Sequence, residues 1–85
     1  MNRREPKVRS RRIDVNLDAV LTTSDGHSVK VVVRDLSADG FRIELDEELL
    51  VGEHVFLQVE AEDILNAEII WALGREAGGR FLTVS

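Results

Sequence analysis

At 85 residues the chain has room for one small domain, and a domain of that size buries only somewhat over half of the surface its unfolded chain exposes. It contains no cysteine, which excludes a disulfide framework and any thiolate metal site, and no apolar run approaches the roughly 20 residues of a membrane span. The net charge of −5 combines opposites: residues 1–12 carry six basic side chains against Glu5 alone, whereas residues 13–85 carry five basic against fifteen acidic ones.

A cationic arm thus precedes an acidic body. Such an arm is either a solvated tail or a site for an anion. The acidic body argues against a long nucleic acid, because most of the surface would repel a phosphate backbone. A short anion touching only the arm and its surroundings escapes that objection. The N-terminus has no apolar core of a signal peptide, since Val8 is the only large apolar residue between Met1 and Ile13, and a cytoplasmic location is expected.

Residues 1–12, with the only proline at Pro6, have the composition of a flexible segment, and residues 13–85 are expected to form the domain. From Ile13 the chain alternates. Ile13, Val15, Leu17, Ala19 and Leu21 share one face, with Asp14, Asn16 and Asp18 opposite, a half-buried strand. Ser24-Asp25-Gly26 is turn chemistry and predicts a hairpin. Residues 28–34 place Val29, Val31 and Val33 on one face and Val32 on the other, a second strand rich in β-branched residues.

Residues 35–40 read as a tight turn, followed by a third strand with Phe41, Ile43 and Leu45 inward. Residues 46–50 suggest a short helical turn ended by Gly52. Val55, Leu57 and Val59 alternate in a fourth strand, and a fifth runs from about Leu65 to Leu73 with Ile69 and Trp71 on one face. Residues 74–79 read as a turn and residues 80–84 as a sixth strand. Six short strands with regularly spaced turns predict an all-β, antiparallel barrel or sandwich, of which a closed barrel would remove the exposed edges. No long C-terminal helix is expected.

Two segments carry candidate chemistry: Arg9-Ser10-Arg11-Arg12 at the end of the arm, and the turn Asp35-Leu36-Ser37-Ala38-Asp39-Gly40. Arginine offers a planar, five-donor fork that holds phosphate bidentately and stacks on bases. A carboxylate beside a hydroxyl suits the donor edge of guanine, and glycine lets backbone approach a flat ligand. The same turn also has a purely structural reading, in which Asp and Ser bind local backbone.

The turn has the (Asp/Asn)-x-Ser-x-x-Gly pattern of PilZ domains at every fixed position, in Asp35, Ser37 and Gly40. The arginines ahead of Ile13-Asp14-Val15-Asn16-Leu17 resemble that family's arginine motif. Gly52-x-x-Val55-x-Leu57, the strand through Trp71 and Gly79-Arg80-Phe81 resemble its later strands. The resemblance implies a six-stranded barrel that binds the second messenger cyclic di-GMP. Arg9, Arg11 and Arg12 would hold phosphates and stack on guanine, while Asp35 and Ser37 read a guanine edge and Gly40 admits the ligand. The family's motif is Arg-x-x-x-Arg, whereas here Val8 stands four residues before Arg12. Arg9 and Arg12 make Arg-x-x-Arg, and Lys7 with Arg11 puts a lysine in the first role. Lysine keeps the charge but lacks the fork.

Other residues have plainer readings. Trp71 is expected to anchor the core or a barrel end. His27 and His54 lack a second ligand at metal spacing, so no metal or cofactor is expected. No His–carboxylate pairing or glycine-rich phosphate loop suggests an enzyme. Single-stranded nucleic acid is the weakest option, because stacking platforms are scarce among three Phe, one Trp and no Tyr. Two readings therefore stand. One is a cyclic di-GMP receptor whose arm orders on binding and signals to a protein partner. The other is a degenerate PilZ-like module that binds a protein and no nucleotide.

Overall fold

The alternation of apolar and polar residues resolves into six strands in the computed structural model, which describes residues 13–60 and 62–82. They are β1 (Ile13–Thr23), β2 (Ser28–Leu36), β3 (Gly40–Glu44), β4 (His54–Val59), β5 (Ile64–Leu73) and β6 (Glu76–Phe81). Every neighbouring pair is antiparallel, and the order β1-β2-β3-β6-β5-β4 closes through β1–β4 pairing into a barrel. The described residues contain no helix. Segment 46–50 is therefore irregular rather than a helical turn, while Leu49 packs against the core.

The inward faces follow the period-two reading. Leu21, Val33, Ile43, Val55, Leu57 and Ile69 are fully buried, with Ala19, Val31, Phe41, Leu45, Val59, Ala67 and Ala77 completing the core. At about 25 cal/mol per Å² of apolar surface removed from water, this interior is the main force holding so short a chain together. The predicted hairpin forms between β1 and β2. Gly26 takes a φ of 92° and donates its N–H to the Thr23 carbonyl at 2.9 Å.

Two boundaries differ from the sequence reading. β2 continues through Asp35 and Leu36, so Asp35 belongs to a strand and the connection to β3 shortens to residues 37–39. β6 starts at Glu76 rather than Arg80, placing Gly78 and Gly79 inside a strand. These glycines are there because aromatic rings cross them. A Cβ on Gly79 would come within 2.4 Å of Phe41 Cζ, and one on Gly78 within 2.0 Å of Trp71 Nε1. Glycine in a strand marks such close approach as well as turns, and composition alone does not separate the two.

The barrel has two differently furnished ends. Ile13, residues 37–39 and the β4–β5 connection lie at one. The hairpin turn 24–27, the β3–β4 loop 45–53 and the β5–β6 turn 74–75 lie at the other.

Candidate functional site

The start of β1 and the end of β2 lie side by side, immediately before the Ser37 turn. Ile13 is the register partner of Leu36, and Asp14 of Asp35. The chain therefore enters the barrel one strand away from the Ser37 turn. Lys7, Arg9, Arg11 and Arg12 lie outside the described residues.

Within the turn, Ser37 is engaged locally. Its hydroxyl oxygen accepts from the N–H groups of Asp39 and Gly40, both at 3.2 Å, and its O–H donates to the Gly40 carbonyl at 3.3 Å. The Ser37 N–H also donates to the Gly40 carbonyl, at 2.9 Å. This is the local side-chain bonding that makes serine a turn residue. Gly40 answers to packing: a Cβ there would lie 2.2 Å from the Gly79 carbonyl oxygen of β6. The backbone of β3 and β6 meets too closely at this point for any side chain.

Asp35 is only 7% exposed and is held by Arg42, whose Nε–H donates to Asp35 Oδ2. Arg42 also reaches Glu76 through Nη1 at 2.9 Å. The hydrogen bond to Asp35 raises the Arg42 pKa above the usual arginine value, and the nearby charges of Asp35, Glu76 and Glu44 add to it. Arg42 thus remains a cation at any accessible pH, and a buried carboxylate beside such a fork is held in place as an acceptor.

Ser37 and Gly40 border a surface hollow of about 230 Å³ together with Asp39, Ile70, Trp71 and Arg80. Asp35 and its partner Arg42 are not among its walls; Asp35 sits on β2, the strand next to β3. The hollow is lined by two aromatic residues, Phe41 and Trp71, with one guanidinium and a polar turn, a combination suited to a flat, hydrogen-bonding ring system.

Trp71 and Arg80 were not legible as site residues. Trp71 lies 37% exposed on the outer face, because a bulge between Ile69 and Trp71 reverses the strand's alternation. Ile69 faces the core, and Trp71, expected on the same face, instead crosses Gly78 outside the barrel. The Gly78-Gly79 pair was the available signal, because adjacent strand glycines invite a ring across them. Arg80 donates to Glu68 at 2.9 Å. Among the described residues, no group of three or more His, Cys, Asp or Glu side chains is arranged to hold a metal ion.

The profile of the PilZ domain family matches residues 2–85. The chain belongs to the PilZ domain family. PilZ domains are generally cyclic di-GMP-binding adaptor domains and typically non-catalytic. Among solved structures, the crystal structure of the PilZ domain of CeSA from a cellulose-synthesizing bacterium aligns with a TM-score of 0.75. The two are 23% identical, over 88% of this chain and 83% of that one, so the likeness shows the fold. No curated protein sequence matches significantly. No helix among the described residues of this PilZ domain is long and apolar enough to cross a membrane.

Proposed function

We propose that this PilZ domain is a receptor for cyclic di-GMP that couples ligand capture to a protein partner. The observation that carries the reading is the junction of β1 and β2, where the entry of the cationic arm and the Asp35-x-Ser37-x-x-Gly40 turn adjoin. The hollow with Trp71 and Arg80 opens beside that turn.

In this reading Arg9, Arg11 and Arg12 hold the phosphates and stack on guanine, with Lys7 as an additional cation. Asp35, aimed by its hydrogen bond from Arg42, accepts from a guanine edge. Ser37 shapes the turn and reaches the guanine edge by exchanging one of its local hydrogen bonds for one to the ligand, and Gly40 keeps the wall beside β6 low. Capture orders the arm against the barrel and changes the surface shown to a partner, a disorder-to-order switch.

Titration calorimetry with cyclic di-GMP tests the proposal. Heat that saturates, and that is lost in Arg12→Ala, supports it. Absence of heat at tens of micromolar protein would assign the chain to the second reading, a module that binds protein only. That reading draws on Val8 at the first arginine position and on the local engagement of Ser37 and Asp35.

A further inference from the structure

The opposite end of the barrel carries an apolar cluster that core packing does not explain. Leu50, Val51 and Leu73 are 74%, 66% and 79% exposed. Leu50 and Leu73 line one depression of about 270 Å³ with Leu49, Ala72, Glu47 and Glu48. Single exposed apolar side chains are ordinary, but two leucines lining one depression with an exposed valine next in sequence are not.

The loop that presents Leu50 and Val51 beside the end of β5 is fastened down. Gly52, at a φ of 93°, donates to the Ile69 carbonyl at 2.7 Å, and the Ile69 N–H donates to the Glu53 carbonyl at 2.9 Å. The Leu50 N–H donates to Glu53 Oε1 at 3.1 Å, and the Glu53 N–H returns to the Leu50 carbonyl at 3.0 Å. Leu49 inserts toward the core from the same loop. Leu50 and Val51 are therefore held outward by a turn tied to β5, so docking a partner costs little further loop ordering.

The surroundings specify the occupant. The three loops of this end hold Asp25, Asp46, Glu47, Glu48 and Glu53 against Arg75 and His27. Both basic side chains are paired, Arg75 with Asp46 and His27 with Glu47, and the carboxylates of these loops remain in excess. An anionic bilayer or a nucleic acid would be repelled. A second copy docked about a twofold axis would set this acidic rim against itself.

We infer that the Leu50–Val51–Leu73 end is a docking surface for a partner protein's short apolar segment flanked by lysines or arginines. Leu50 and Leu73 receive the apolar side chains, and the carboxylate rim receives the cations. The surface lies away from the arm-bearing end and does not depend on nucleotide binding.

The test uses the full chain without nucleotide and an amphipathic peptide of Leu and Lys, with its Leu–Glu counterpart and a Lys-only peptide as controls. The Leu–Lys peptide is expected to shift the amide resonances of Leu50, Val51, Leu73 and Gly74. Leu50→Ser with Leu73→Ser should weaken it about tenfold or more at unchanged net charge and unchanged Tm. Glu47→Lys with Glu48→Lys should weaken it as well, whereas Glu60→Lys with Glu62→Lys at the other end should have much less effect. Equal affinity in the double serine variant, equal binding of the Lys-only or Leu–Glu peptide, or shifts centred elsewhere would overturn the inference. So would self-association of the wild type that the double serine variant abolishes, which would give the surface to a second copy.

Discussion

The two ends of the barrel differ in how their side chains are used. At the arm-bearing end, polar groups are spoken for: Ser37 closes its own turn, Asp35 holds Arg42, and Gly40 makes room for β6. At the opposite end, backbone is tied down while apolar side chains are left in solvent. The first end therefore resists substitution for reasons of packing. The second tolerates substitution in the fold and registers it only in association.

The strongest way to break this contrast is at Gly40. Gly40→Ala places a methyl group against the Gly79 carbonyl, and because that neighbour is backbone it cannot swing aside. Chemical denaturation should show a loss of about 1–3 kcal/mol, the usual cost of overpacking. Leu50→Ser, at the other end, should change stability by about 0.5 kcal/mol or less. Similar losses at both positions would erase the distinction.

Ligand binding sharpens it next. Replacing Arg9 or Arg12 by Ala should weaken cyclic di-GMP by roughly one to two decades each, as expected for losing a charge-assisted bond of about 1.5–3 kcal/mol. Calorimetry should register this with no change in Tm. Asp35→Asn should weaken the ligand and also loosen Arg42, so its effect should include a fall in Tm that the arginine variants lack. The double variant Leu50→Ser with Leu73→Ser should leave dinucleotide affinity unchanged.

The smallest expected effect is a pH response at the second end. Glu47 accepts from His27 Nε2 at 2.9 Å, and this hydrogen bond, aided by the Glu47 charge, raises the His27 pKa above 6.5. The sign follows from the charged form being favoured in the fold. The contribution is fully present below pH 6.5 and disappears as pH rises through the elevated folded value. Both groups are exposed, so the effect on stability should be slight. Histidine resonances followed by NMR should show the His27 midpoint falling in Glu47→Gln. Asp25 behaves in the opposite sense. The Thr23 hydroxyl lowers its pKa first, with the His27 N–H adding, so its contribution is present above the ordinary carboxylate value and lost on acidification.

Much of this molecule was readable from the order of its residues. Alternation in Val29, Val31 and Val33, and in Val55, Leu57 and Val59, assigned the buried face, because strand side chains alternate strictly wherever register is uninterrupted. Ser24-Asp25-Gly26 marked the hairpin, since glycine alone takes its φ without cost. The spacing of Asp35, Ser37 and Gly40 pointed to the family to which the chain belongs.

Only tertiary structure decided the rest. The bulge at Ile69 and Trp71 turned an expected inward ring outward, and it depends on register with β6, which local periodicity does not contain. Gly78 and Gly79 read as a turn because their reason, rings from β5 and β3 lying across them, comes from strands elsewhere in the sequence. Likewise Leu49, Leu50 and Val51 are alike in composition, and their separation into one anchor and two exposed residues follows from where β5 fastens the loop. Sequence determines which way a strand faces. What faces it, and what is left uncovered, depends on contacts between residues far apart in the chain.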